Sequence, residues 1–145
     1  MKCTRIDLDS WDRGKLFQFY INNMRIVMSL TVEISVTPLD AYIKDHHLKF
    51  YPSMLSRVIN AHDEFKYSWD EKGHLIKWDS VSPSYADFHQ EDQNFTKLVT
   101  EYSDDLFEFH ARFLADRERY KNARAVMERQ PPNFFLSAMG EIPAF

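Results

Sequence analysis

The six histidines are the side chains best able to move a proton near neutral pH or to bind a metal. Two are adjacent, in Lys44-Asp45-His46-His47-Leu48-Lys49. The charge around them predicts a solvated loop in which neither ring is catalytic. No His-Glu-x-x-His occurs, and the scattered histidines read as surface or capping residues, so no metal site is expected. Cys3 is the sole cysteine and can form neither an internal disulfide nor a thiolate zinc site, which fits a reducing compartment. Its place near the start of the chain makes it a poor nucleophile. The acidic pairs Glu91-Asp92 and Asp104-Asp105 read as solvated helix starts rather than paired general acids. Gly14, Gly73 and Gly140 are too far apart for a P-loop or a dinucleotide-binding fingerprint.

These residues must be positioned by a scaffold, and the stretch that organises it is Met28 to Val36. There Met28, Leu30, Val32, Ile34 and Val36 alternate with Ser29, Thr31, Glu33 and Ser35, which predicts a strand with one apolar face. Short helices on both sides supply apolar residues at three- and four-residue spacing to cover it. Thr4 to Leu8 predicts a short strand, and Asp9-Ser10 a cap for a helix from Trp11 to about Asn23. Leu16, Phe17, Tyr20 and Met24 share one side of that helix and are expected to be buried, with the Tyr20 hydroxyl at the rim. Thr37-Pro38-Leu39-Asp40 combines a capping hydroxyl, a proline at the first helical position and a carboxylate in the first turn, starting a helix through Ile43. Phe50-Tyr51-Pro52 starts another that buries Met54, Leu55, Val58 and Ile59 and ends near Asp63.

From Phe65 the period shortens. Lys66 to Asp70 and His74 to Trp78 flank Glu71-Lys72-Gly73 as a hairpin, the glycine taking positive φ. Ser84 to His89 is a third strand, and Phe95 and Leu98 are assigned to a short helix or turn behind it. The longest helix follows, with Ser103 as its cap, Asp104 and Asp105 at its positive end, and a buried stripe of Leu106, Phe109 and Phe113. Pro131-Pro132 stops any continuation, and Asn133 to Met139 is a final apolar strand.

A chain of 145 residues predicts one domain, 1–145, with no repeat or low-complexity segment. Its 44% hydrophobic and 28% charged residues are ordinary for a soluble globular protein, and the 15% aromatic share promises a bulky core or pocket. A net charge of −4 gives no electrostatic reason to expect nucleic acid or an anionic membrane as partner. The start lacks an apolar leader and no apolar run is long enough to cross a bilayer, so the expected location is cytoplasmic.

Trp11-x-Arg13, the helix of Tyr20, Phe50-Tyr51-Pro52, Trp78-Asp79-Ser80-Val81-x-Pro83, Phe88-His89, Phe95 and Glu118-Arg119-Tyr120 together carry a resemblance to the chloramphenicol acetyltransferases. It runs from the first residues to the end of the chain. The resemblance implies an α+β fold, a two-layer α/β sandwich in which a mixed sheet is covered by helices. It implies a cytoplasmic homotrimer that moves acetyl from acetyl-CoA, as co-substrate and with no metal, to a hydroxyl of chloramphenicol in clefts between subunits. A histidine of a His-His-x-x-x-Asp-Gly motif is then the general base, and a serine hydroxyl stabilises the oxyanion. Carried over by position, Ser137 stands for that serine and Arg13 for an arginine that pairs with the motif's aspartate. Tyr20, Met24, Ile26, Met28, Phe95 and Met127 stand for the wall of the antibiotic pocket, Ile26 and Met28 replacing the family's cysteine and phenylalanine and Met127 a phenylalanine.

No Asp-Gly dipeptide occurs in the chain, and His46-His47-Leu48-Lys49-Phe50 does not reproduce the motif. The sequence reads as the first two-thirds of the family fold, incomplete at its C-terminus and inactive alone. Two further readings stand beside it. One is a binding module that holds drug or acyl-CoA without chemistry; the other is an interaction fragment that pairs through its terminal strand.

Overall fold

The computed structural model describes residues 2–24, 35–123 and 134–136. Strand β1 (Cys3–Arg5) leads through turns into α1 (Gly14–Phe19), which continues as a wider π-helical turn over Tyr20–Met24. Helices α2 (Thr37–Asp45) and α3 (Phe50–Ala61) follow, then a 3-10 turn at Asp63–Lys66. The second half holds β2 (Tyr67–Trp69), β3 (Leu75–Trp78), β4 (Ser82–His89), β5 (Asn94–Val99), α4 (Leu106–Tyr120) and β6 (Phe134–Leu136).

Among the described residues the strands form two sheets. One is antiparallel in the order β1-β3-β2; the other is mixed, β5-β4-β6, with β5 antiparallel and β6 parallel to β4. The predicted hairpin is present, Ser68 facing Ile76 across it, and Gly73 takes φ +76° in its turn. Its strands belong to a different sheet from β4, so they do not flank β6. Parallel pairing of Ser82, Pro83 and Ser84 with Phe134, Phe135 and Leu136 anchors the end of the chain.

Helices α3 and α4 pack on each other and over the β4–β5 sheet. The core between them joins Leu55 and Ile59 of α3, Val81, Tyr85 of β4, Leu98 of β5 and Phe113 of α4, with Trp78 and Tyr120 partly buried against it. Asn60 closes the α3 end of this layer. Its side-chain amide donates to the Val81 carbonyl and accepts from the Val81 N–H, both at 2.9 Å, as a neighbouring strand would.

Several local expectations are corrected. The helix predicted from Trp11 begins at Gly14, because Asp7 captures the preceding turn: its carboxylate accepts from the Ser10 hydroxyl at 2.8 Å and its carbonyl from the Trp11 N–H at 3.0 Å. Leu16, Tyr20 and Met24 are exposed rather than buried; Tyr20 and Met24 lie in the π-helical turn, which rotates them away from the side that a regular helix would give them. Thr37 is inside α2, and its hydroxyl is not a cap; Val36 occupies that position. Asp105, not Ser103, caps α4, accepting from the N–H groups of Phe107 at 2.8 Å and Glu108 at 3.3 Å. Ser103 braces that start by hydrogen-bonding Glu108. Phe95 and Leu98 lie on a strand, β5, not on a helix or turn. The organising strand falls largely outside the described residues, and its last two residues, Ser35 and Val36, are not in a strand.

Candidate acceptor site

The alternation of β4 sorts its side chains by face. Tyr85, Asp87 and His89 point to the helix layer, where the Tyr85 hydroxyl meets Thr100 Oγ1 at 2.8 Å, Asp87 pairs with Arg117 at 2.8 Å and His89 Nε2 meets Thr96 Oγ1 at 2.9 Å. Ser84, Ala86 and Phe88 therefore point to the opposite face. The β4–β5 register sets Val99, Lys97 and Phe95 against them. Phe88 and Phe95 are a directly opposed pair, 43% and 51% exposed, so this face carries an aromatic surface that the helices do not cover.

Ser84 lies two residues from Phe88's neighbour Ala86 on that face and is fully buried, yet its Oγ has no hydrogen-bond partner among the described residues. A buried hydroxyl without a partner costs about 1–3 kcal/mol. Sequence reasoning missed it, because a serine in a strand is unremarkable until its surroundings are known; the only signal was a polar residue in the middle of a run that is otherwise buried.

The helix-facing side is occupied by a hydrogen-bonded chain. Thr100 Oγ1 donates to Asp116 Oδ2 at 2.8 Å, so the Tyr85 hydroxyl must donate to Thr100. Burial pushes the Tyr85 hydroxyl well above its usual range. It also pushes the Asp116 carboxyl up, an effect that the Thr100 hydroxyl and then the Arg119 and Arg112 charges offset in part. These groups fix α4 to the sheet.

Of the residues assigned by resemblance, Arg13 directly precedes α1 and is exposed, and its guanidinium makes no ion pair with a described residue. Gly14, next to it, is buried, and a Cβ there would stand 1.8 Å from the Leu8 carbonyl oxygen. The close approach of these two backbones is what sets the start of α1. Tyr20 and Met24 bound the π-helical turn at 47% and 51% exposure. The ring of Tyr20 packs edge-on against Phe19, with centroids 5.8 Å apart, and not against Phe95. The structure thus shows two separate exposed apolar surfaces, Tyr20 with Met24 and Phe88 with Phe95, and does not join them through a ring contact among the described residues. Ile26, Met28, Met127 and Ser137 lie outside the described residues.

His46 and His47 are not a dyad. His46 stacks on Tyr42 with centroids 4.0 Å apart and meets the edge of Phe107, while His47 turns the chain toward α3 with φ +55°. No group of three or more His, Cys, Asp or Glu side chains suited to a metal occurs among the described residues.

The profile of the family described as chloramphenicol acetyltransferase matches residues 1–143. The chain belongs to the chloramphenicol acetyltransferase family. Among curated relatives, a chloramphenicol acetyltransferase of Clostridium butyricum is 36% identical over 140 residues, covering 93% of this chain and 64% of the relative. Chloramphenicol acetyltransferase 3 of Escherichia coli is 36% identical over 125 residues, covering 84% of this chain and 58% of the relative. The chain therefore spans somewhat less than two-thirds of the length of the relatives it matches. A solved structure titled chloramphenicol acetyltransferase superposes with a TM-score of 0.69 at 21% identity, covering 90% of this chain and 60% of that one. That likeness establishes the fold: helices packed over a sheet in the two-layer arrangement of the chloramphenicol acetyltransferases.

Proposed function

We propose that residues 1–145 supply the acceptor-binding part of an acetyl-CoA-dependent O-acetyltransferase acting on chloramphenicol or a similar hydroxyl-bearing aromatic compound. The observation that carries this reading is the family match over residues 1–143. The uncovered apolar surfaces of Tyr20 with Met24 and of Phe88 with Phe95 support it. Chloramphenicol carries a flat nitrophenyl ring, which suits an exposed aromatic wall such as that of Phe88 and Phe95.

In the proposed reaction the acceptor hydroxyl attacks the thioester carbonyl of acetyl-CoA, its proton passing to a general base, and coenzyme A leaves as the thiol. Ser137 is the hydroxyl that donates to the oxyanion, and Arg13 is the partner of the motif's aspartate. Tyr20, Met24, Ile26, Met28, Phe95 and Met127 wall the acceptor. A cytoplasmic homotrimer is the expected assembly, as in the resemblance that first suggested the family. The His-His-x-x-x-Asp-Gly base is not among residues 1–145. Loss of a general base alone costs a factor of about 10²–10⁴ in rate.

A thiol-release assay with acetyl-CoA and chloramphenicol tests this. The 145-residue polypeptide should show no turnover, and adding a polypeptide that carries the motif from a relative should restore it. Turnover by the polypeptide alone that His46→Ala or His47→Ala abolishes would overturn the assignment of the base. Chloramphenicol should also shift the amide and ring resonances of Tyr20 and Phe95 at millimolar concentration. A spectrum that does not change sinks the acceptor-site reading.

A further inference from the structure

A cleft lies between β1, α1 with its π-helical turn, and the β2–β3 hairpin, Ile21 and Asn22 of that turn lining it. It encloses about 400 Å³, within the range of small-molecule sites, and none of Arg13, Tyr20, Met24 or Phe95 lines it. Its apolar wall includes Trp69, 49% exposed, and Phe17, whose rings lie tilted against each other with centroids 5.9 Å apart. Leu75 and Ile21 extend that wall. The contact with Phe17 steadies the half-exposed indole, and the two rings together offer the cleft an aromatic surface for stacking.

The polar group at this cleft is oriented. His74 lines it, and Asp70 holds His74 twice: Oδ1 accepts from the His74 N–H at 2.7 Å, and Oδ2 faces Nδ1 at 3.0 Å. The Asp70 carboxyl is held below its usual range, chiefly by that backbone hydrogen bond, so it stays ionised and acts only as acceptor. Nδ1 must then carry the proton. In the neutral ring this leaves Nε2 as an acceptor, and no described group occupies it. The same dyad geometry orients histidine wherever a carboxylate fixes its tautomer. Around the rim Arg5 is outnumbered by Asp7 and Asp9, so the cleft does not favour an anion.

We propose that this cleft binds a flat aromatic compound carrying a ring hydroxyl and no negative charge, a phenol or phenolic amine, stacked on Trp69 with its hydroxyl donating to His74 Nε2. The site is independent of the acetyl-transfer reading, since it uses none of that reading's residues. Trp69, His74 and Asp70 are binding and positioning residues here, and no bond is made or broken.

Equilibrium dialysis with tyramine as the probe, on the full 145-residue chain, tests the proposal. Tyramine should bind saturably, phenethylamine, which lacks the hydroxyl, about tenfold more weakly, and 4-hydroxyphenylacetate, which carries a negative charge, more weakly still. Trp69→Ala should abolish binding. Asp70→Asn, which leaves the imidazole in place but no longer fixes its tautomer, should weaken tyramine more than phenethylamine. Phe95→Ala should leave binding unchanged, which separates this cleft from the acceptor site. Equal binding of tyramine and phenethylamine, or tyramine binding that survives Trp69→Ala, would overturn the proposal, as would no saturation up to millimolar tyramine with the parent chain. Since Trp69 is half exposed at a strand end, loss of fold in the variant is not expected; if circular dichroism shows it, the tyramine-to-phenethylamine ratio on the parent chain decides alone.

Discussion

The chain Tyr85 to Thr100 to Asp116 is the best-defined set of side-chain hydrogen bonds in the core, and its members are not equivalent. Thr100 both accepts and donates, whereas Tyr85 only donates. Thr100→Val therefore strands the buried Tyr85 hydroxyl and deprives Asp116 of its donor, at about 1–3 kcal/mol per unsatisfied group. Tyr85→Phe leaves the Thr100–Asp116 bond intact and should cost about 0.5–1.5 kcal/mol. Urea unfolding should rank Thr100→Val as clearly the more harmful, and the reverse order would mean that the hydroxyls do not form a chain. Asp116 gives a second test through pH. Its folded-state pKa is raised by burial above the ordinary 3.8, so the stability it contributes is fully present below 3.8 and is lost as pH rises through the folded value. Asp63, Asp70 and Glu108 are lowered, so their contributions are lost as pH falls, in a window below the ordinary 3.8 of the aspartates and 4.5 of the glutamate. Asp116→Asn keeps an oxygen to accept from Thr100 and removes the charge. Relative to the parent, its stability should improve as pH rises from the ordinary 3.8 through the raised folded-state value; a pH-independent difference would show that Asp116 is solvated.

At the scale of elements, α1 is fixed less by its apolar residues than by one close backbone approach. With a Cβ 1.8 Å from the Leu8 oxygen, Gly14→Ala must push α1 away from the turn that precedes it. Forcing a methyl into filled space costs about 1–3 kcal/mol. A lowered thermal midpoint with a shifted Trp11 fluorescence would register this; an unchanged midpoint would mean that the turn yields freely. The hairpin, α3 and the α4 stripe were legible in the sequence because their signals are local: a glycine at a positive-φ turn, a proline in a first turn, a four-residue apolar spacing. Strand β5 was not. Its turn, Gln90 to Gln93, uses no glycine or proline, Gln93 itself taking φ +55°, and its buried face carries Thr96, with Thr100 just past its end, and their hydroxyls bond His89 and Tyr85. Polar residues satisfied in the interior look exposed in a sequence. The residues proposed for the acceptor site were half legible for the same reason: Tyr20 and Phe95 are conspicuous as aromatics, while Ser84 stands out only once its lack of a partner among the described residues is known.

The whole molecule is most exposed to change at β6. It is joined to β4 through Ser82↔Phe134, Pro83↔Phe135 and Ser84↔Leu136, and among the described residues no strand pairs with its other edge. The Pro83 carbonyl accepts from the Thr100 N–H at 3.2 Å, so this residue faces the β5 side and its lack of an N–H leaves the pairing of β4 with β6 untouched. The sequence around it, Asn133-Phe134-Phe135-Leu136-Ser137-Ala138-Met139, is apolar on both alternating sets, as suits a strand inside a sheet. Unpaired N–H and C=O groups beside such residues template the addition of another strand. A polypeptide of residues 1–145 should therefore self-associate at micromolar concentration, as seen by sedimentation velocity, and Leu136→Pro should reduce association by removing a donor and breaking the strand. A polypeptide covering the part of a relative beyond the matched region should convert the aggregate to a discrete complex, because it offers the same edge a specific partner. A monomer whose amides from Phe134 to Leu136 exchange slowly would refute this, since protection without association requires that the free edge of β6 already be covered within the chain.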